Sequence, residues 1–580
     1  MNAETPNPSL VPFVLAVTGH RDLRPQDFDT LRDRVREVFA GAQKRMPSTP
    51  LVLLTGLAEG ADQLVAQVAL DQGVSLAAAL PMPLDVYRTT MSEAAQKTLD
   101  SLYAQSAIQI VLPTQGQTPD ELLHSEEART QCYEALALFL ARHGQALIAL
   151  WDGKHSDKRG GTSRVVHYVR QGIASEGEEE VESRCGIVYQ VLTPRMSGDE
   201  PARPIRTITL SCEPRKKSVS PVTTSDEHEN PTPVPFAEVE INIERFNRES
   251  LRAAARADAT ESRLIADAAL PRSPFQTRLE ALYGRADAIS MQANGRRRFT
   301  LLAILGTAVV GAVFYGVHGE IYSQVVLLWL TFPFFVLVAG AIHWWARIKH
   351  VEENYLDSRA LAEALRVQFF WDLAGIDQPV DRYYLVDRPS EVEWIRFALK
   401  NIWLMRHDRD DDSATQPNYA AVLRYWVEDQ EEWYRKKANQ QSESVRQRER
   451  WSHYALIAAG VWAVLVPIGI LVWNHYHPAQ KHNASENIWY DIFHVILAVP
   501  ALLAGAYRLW IEQAGYDEQS REYRSMQHQF SLKAKEMSAH LDSPEITERL
   551  LVDLGIEALK ENGRWLLLHR ERPLEVISTP

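Results

Sequence analysis

Three glycine-bearing loops hold most of the residues able to do chemistry. Gly19-His20-Arg21 follows one apolar run, and Gly56-Leu57-Ala58-Glu59-Gly60-Ala61-Asp62 follows a second. Asp152-Gly153 follows a third and opens a charged loop that ends in Lys158, Gly160, Gly161, Thr162 and Ser163. Glycine at a strand exit lets backbone approach a ligand closely. Gly160-Gly161-Thr162-Ser163 starts a helix, where unpaired N–H groups and the helix dipole favour an anion. Arg21, Arg24, Lys154, Lys158 and Arg159 add positive charge. The expected chemistry is capture of a phosphate-bearing ligand. The plainer reading is that Thr162 or Ser163 only caps its helix; convergence of several such loops favours the ligand. Glu59, Asp62 and Asp152 are carboxylates that could do proton chemistry here.

The elements that must position these loops alternate. FVLAVT (13–18), LVLLT (51–55), SLAAAL (75–80), AIQIVLP (107–113), ALIALW (146–151) and GIVYQVLT (186–193) read as strands. Between them lie helical patterns, one with Leu31, Val35, Val38 and Phe39 on a face, the next with Leu64, Val65, Val68 and Ala69. One long helix is expected over about 120–143 and another from Thr162. The alternation predicts an α/β doubly wound parallel sheet. Ligands on such sheets sit beyond the carboxyl ends of the strands, where the glycine loops and the Pro81-Met82-Pro83 turn fall.

The set V-T-G-H-R, L-L-T-G-L-A-E-G-A-D and A-L-W-D-G…G-G-T-S, in this order over about residues 10–195, resembles the SLOG superfamily of Rossmann-like nucleotide-binding domains. The resemblance implies a nucleotide-derived ligand, bound by Gly19, His20, Arg21, Gly56, Glu59, Gly60, Asp62, Asp152, Gly153, Lys158, Gly160, Gly161, Thr162 and Ser163. Lonely-guy phosphoribohydrolases of this superfamily carry a catalytic Glu in G-G-x-G-T-x-x-E; the matching position here is Val165. A binding domain is therefore expected, with no catalytic residue or cofactor assigned, although a nucleotide-processing enzyme stays open. TGLAEGAD also resembles a segment of DNA-processing protein A, but Glu59 stands where that family has Arg. A carboxylate there repels a phosphate backbone, so stable nucleic-acid binding is not expected.

Formal net charge is −13, from 62 Lys and Arg against 75 Asp and Glu, which fits neither a basic DNA-binding chain nor one steered to polyanions. Cys132, Cys185 and Cys212 stand far apart, giving no zinc spacing and suiting a reducing compartment. The start, MNAETPNPSLVP, reads as no signal peptide.

The second half changes character. Residues 299–317, 321–346 and 454–473 contain no Asp, Glu, Lys or Arg, and 489–510 is interrupted near its ends by Asp491 and Arg508. A helix of about 20 apolar residues spans a bilayer. Four spans are expected, at 299–317, 322–346, 454–473 and 489–510. Arg296, Arg297, Arg298, Arg347 and Lys349 flank the first pair, and Lys436, Lys437, Arg446, Arg448 and Arg450 precede the third. The positive-inside rule then places both termini in the cytoplasm, with Trp344, Trp345, Trp489 and Trp510 at interfaces. The expected organisation is 1–212 nucleotide-binding, 213–238 linker, 239–375 first helical unit, 376–424 insert, 425–545 second helical unit, and 546–580 C-terminal segment.

The two membrane units look duplicated. LYGRADAISMQANGRRRF and WYRKKANQQSESVRQRERW precede the odd spans; ENYLDSRALAEALRVQFF and AGYDEQSREYRSMQHQFSLKA follow the even ones. Tyr283 aligns with Tyr434, and Tyr355 with Tyr516. In architecture these units resemble the two-span SLATT modules found with SLOG domains. The combination implies a membrane effector in the bacterial inner membrane. It would answer a nucleotide second messenger in antiphage defence, with the lipid bilayer and further copies of itself as partners. Leu361, Leu365 and Phe369 recur at helical spacing, so the post-span helices are expected to pack as stalks. HDRDDDS (407–413) reads as a solvated turn, ASEGEEEVESR (174–184) as a solvated loop, and His475, His477 and His482 as wet loop residues.

Overall fold

FVLAVTG at Phe13–Gly19 forms β1, buried along its length except at the terminal glycine. A strand without a polar face must have both faces covered, as at the centre of a parallel sheet. Leu51–Thr55 (β2), Ser75–Leu80 (β3), Ile108–Val111 (β4), Ala146–Trp151 (β5) and Ile187–Leu192 (β6) follow at the six positions expected. A seventh, Thr207–Leu210 (β7), joins them. This computed structural model describes residues 6–114, 116–156, 158–171, 186–197, 204–211, 234–255, 262–267, 270–320, 330–384, 393–407, 416–476 and 516–571. The loop 174–184, most of the 213–238 linker, the turn 408–413, residues 322–329 of the second expected span, and all of the fourth at 489–510 lie outside them. So do His477 and His482.

The sheet order is β4-β3-β2-β1-β5-β6-β7, parallel from β4 to β6, with β7 antiparallel to β6. The chain winds outward from β1 to β4, then returns to place β5 on the other side of β1. The topological switch point is therefore the crevice between the carboxyl ends of β1 and β5. Helices Phe28–Arg45 (α1), Ala61–Asp71 (α2), Leu84–Arg88 (α3) and Glu93–Gln105 (α4) serve the first strands. Leu31, Val35, Val38 and Phe39 of α1 are buried, as the helical spacing requires.

The expected single helix over 120–143 is two, Pro119–His124 (α5) and Glu126–His143 (α6). Ser125 adopts an extended backbone, and its hydroxyl accepts from Ala128 N at 3.2 Å. That bond caps α6 and stops α5, a start signal masked by the apolar periodicity on both sides. Thr162–Gln171 forms α7, starting where expected. β7 escaped the sequence reading because four residues, TITL, carry little periodic signal beside a Pro- and Ser-rich stretch.

By its contacts the chain forms two compact units. The first takes residues 1–286, 364–372 and 377–416, and so includes Val234–Ala254 (α8) and Glu393–Leu404 (α12) as well as the sheet. Asn401 on α12 is buried and donates to Pro12 O at 2.8 Å and to Gln145 Oε1 at 2.9 Å. Gln145 Oε1 also accepts from Val14 N at 2.6 Å, so a reciprocal amide pair ties α12 to the feet of β1 and β5. Asn247 on α8 likewise accepts from Val11 N at 2.9 Å and donates to Val11 O at 2.8 Å.

The second unit is helical. It draws on Pro274–Glu320 (α9), Thr331–Ile348 (α10), Val351–Leu373 (α11), Asp429–Tyr476 (α13), Tyr516–Ala539 (α14) and Pro544–Glu571 (α15). Two segments of the described residues, Pro274–Phe314 and Thr331–Leu373, are long and apolar enough to cross a membrane. Within the most apolar stretch of each, few residues are buried, and Phe299 is 71% exposed and Leu337 73%. The third expected span, 454–473, lies within α13, which continues through Pro467; only a shorter apolar piece, Gly460–Gly469, stands out there. α13 and α14 pack through aromatic rings, with Trp433 and Tyr523 ring centres 5.6 Å apart and Tyr434 and Phe530 5.5 Å apart. Arg359 of α11 lies over the Trp565 ring of α15 at 4.2 Å.

Candidate functional site

The switch point is built from the exits of β1, β5 and β6. His20, the first residue past β1, is 4% exposed. Its Nε2 accepts from the backbone N–H of Asp152, the first residue past β5, at 3.0 Å. Arg195, three residues past β6, donates from Nε to the same Nε2 at 3.3 Å and lies 3.2 Å from Asp152 Oδ2. With its proton on Nδ1 the ring can accept from both donors at Nε2, which also lies 3.3 Å from Asp152 Oδ1. Burial, then the Arg195 charge, hold His20 below the ordinary histidine range, against the opposing pull of Asp152 and Asp22. Both effects favour the neutral imidazole.

Asp152 is itself turned inward, accepting from Lys154 N at 3.0 Å. Gly153 follows with φ +83°, and an added Cβ there would approach Gln190 Nε2 to 3.3 Å. The segment carrying Arg195 is pinned to the β1 loop by an antiparallel bridge to Leu23 and by Met196 N donating to Asp22 O at 3.0 Å. The Ser197 hydroxyl also donates to Asp22 Oδ2, at 2.5 Å. Burial tends to raise the Asp22 carboxyl, yet Ser197, the local backbone and Arg195 together hold it below its ordinary value.

A second cluster lies at the exits of β2 and β3. Asp62 is buried at the first turn of α2, accepting from Ala58 N at 3.4 Å. Burial pushes its carboxyl up to about 7, opposed by that N–H and by Arg21. Arg21 is exposed and lies 5.2 Å over the Tyr133 ring. The Tyr133 hydroxyl donates to Thr90 Oγ1 at 3.4 Å, and Tyr87 donates to Gly56 O at 3.0 Å.

Several of the glycines serve packing. A Cβ at Gly19 would come within 2.3 Å of Ala61 Cβ, and one at Gly56 within 2.7 Å of Leu136 Cδ2. Gly60 has φ +92°, and a Cβ there would reach Arg21 O at 2.4 Å. This contact, with Ala61 N donating to His20 O at 3.0 Å, locks the β1 and β2 loops together. Gly160, at φ +69°, lies against the backbone of Tyr133, so the β5–α7 loop rests on the residue that carries Arg21.

At the start of α7, Gly161 N donates to Lys158 O at 3.2 Å, and Ser163 Oγ accepts from Ser156 N at 3.2 Å. Among the described residues the N–H groups of Thr162 and Ser163 have no partner. Glu59 stands apart: its carboxylate accepts from Ser92 Oγ at 2.6 Å and Ser92 N at 3.2 Å, anchoring the cap of α4. Val165 is buried in the core beneath the sheet, so the position matched to the hydrolase Glu faces apolar side chains.

The structure thus joins His20 to Asp152, and Arg21 to Asp62 through electrostatic contact, and turns Glu59 elsewhere. Sequence reasoning missed Arg195, Tyr133 and Tyr87. A lone arginine after Thr193-Pro194 at a strand exit was the available signal for the first. Among the described residues no cluster of His, Cys, Asp and Glu is placed to hold a metal ion.

No protein-family model matches this chain, and no curated protein is significantly similar to it.

Proposed function

We propose that this chain is a membrane effector of the SLOG–SLATT type, sensing a nucleotide-derived second messenger at the switch point and permeabilising the bilayer in response. One observation carries the reading: a doubly wound sheet with a donor-rich switch point shares its chain with two outward-facing apolar helices. Proteins that only anchor an enzyme need one such helix. On this reading the spans number four, at 299–317, 322–346, 454–473 and 489–510, with both termini cytoplasmic in a bacterial inner membrane. The post-span helices pack into a homo-oligomer, and permeabilisation halts a phage-infected cell. Low charge within the spans argues against an ion-coupled transporter.

A second reading is favoured by Asp62. A buried carboxyl with a pKa of about 7 at a ligand edge suits general acid–base work on a nucleotide.

Mass spectrometry of small molecules retained by the purified full-length protein tests the first reading. A retained nucleotide-type molecule that the protein does not consume supports it. Multiple turnover that disappears in Asp62→Asn supports the enzyme instead, and a protein that neither retains nor alters any nucleotide contradicts both.

A further inference from the structure

The geometry points to Arg195 as the residue that grips the ligand's phosphate, through the outer edge of its guanidinium fork. This assignment rests on the nucleotide reading of the switch point and names the anion receptor within it. A guanidinium has two usable edges. In Arg195 the Nε end is occupied, 3.2 Å from Asp152 Oδ2 and 3.3 Å from His20 Nε2. Among the described residues neither terminal nitrogen has a hydrogen-bond partner, and the side chain is 40% exposed. Two parallel N–H donors therefore remain for a ligand, a spacing that matches two oxygens of one phosphate.

The support behind the fork is rigid. His20 and Asp152 side chains are only 3% and 15% exposed, so the Nε end is fixed by groups that cannot swing away. The Leu23 bridge and the Asp22 contacts of Met196 and Ser197 fix the backbone at Arg195 and just after it. A donor held this way loses little conformational freedom on binding. The neutral state of His20 belongs to the same design: a charged imidazole would face the guanidinium across 3.3 Å. Asp152 offsets the arginine's charge at its Nε end and leaves the outer edge to the ligand. The class of ligand recognised is a phosphate monoester or diphosphate carried by a small nucleotide.

The test uses full-length protein in detergent micelles, titrated calorimetrically with inorganic pyrophosphate and with ADP. Wild type binds pyrophosphate, and Arg195→Ala weakens it at least tenfold with an unchanged melting temperature. Arg195→Lys, which keeps the charge and loses the fork, is weakened severalfold. Lys97→Ala, which removes an exposed cation on α4, changes affinity less than twofold. Equal losses in Lys97→Ala and Arg195→Ala would reduce the effect to surface charge and overturn the assignment. So would an Arg195→Ala protein that retains, undiminished, the same nucleotide that wild type retains through purification; that result leaves the nucleotide reading standing. A wild-type protein that binds no pyrophosphate and retains no nucleotide overturns both.

Discussion

Asp62 illustrates how a single side chain's environment becomes a measurable property. Its carboxyl titrates near 7 in the folded chain, against an ordinary value of 3.8. The folded state therefore binds a proton that the unfolded state has already released between those values. Stability falls as pH rises from about 4 to about 7, by a penalty on the order of a few kcal/mol. Asp62→Asn is expected to remove this slope, raising the melting temperature above wild type at pH 8 and matching it near pH 4.5. An unaltered slope would show that Asp62 is solvated or paired. At Gly60 the constraint is steric: φ is +92° and a Cβ would lie 2.4 Å from Arg21 O. Gly60→Ala should cost on the order of 2–4 kcal/mol in thermal denaturation; a loss below 1 kcal/mol would mean that the two loops are not locked. The glycines of these loops were legible as special positions. Which of them face a ligand and which serve packing was not, because both uses select the same residue. Glu59 shows the same limit: its type suggested a site, and its partner Ser92 lies 33 residues away.

At the scale of elements, six strands and the faces of α1 and α2 were legible because long apolar runs and clean helical spacing dominate there. The division of α5 from α6 at Ser125 was not, since one capping hydroxyl decides it. The contribution of α12 was opaque for a different reason. Its link to the sheet is a pair of buried amides, Asn401 and Gln145, 256 residues apart, and no local pattern announces such a bond. Asn401→Ala should leave the Gln145 amide buried and half-satisfied, costing on the order of 2–3 kcal/mol. Chemical denaturation followed by tryptophan fluorescence would measure it, and a cost near zero would detach α12 from the first unit's core. Leu361, Leu365 and Phe369 are all fully buried, as their helical spacing on one face of α11 requires. Leu365→Glu is therefore expected to unfold its surroundings, since an unpaired carboxylate is costly to bury. A folded, stable Leu365→Glu protein would contradict that packing.

At the scale of the molecule, composition alone separated a charged α/β part from an apolar one, and periodicity ordered the first. The pairing of α13 with α14 through Trp433, Tyr434, Tyr523 and Phe530 depends on contacts that sequence spacing does not encode. α9 begins in the first unit and runs without a break into the apolar residues 299–314. On the proposed reading, a ligand of the first unit acts on the apolar helices only by its differential affinity for the two states. The most direct measurement is release of an entrapped dye from liposomes holding the full-length protein, on addition of the small molecule that co-purifies with it. Release should rise with that molecule and saturate with its binding. Gly161→Glu, which sets a carboxylate at the first turn of α7, should stay tight at the same concentrations. Liposomes that remain sealed at saturating ligand, or that leak equally with wild type and Gly161→Glu, would contradict the account.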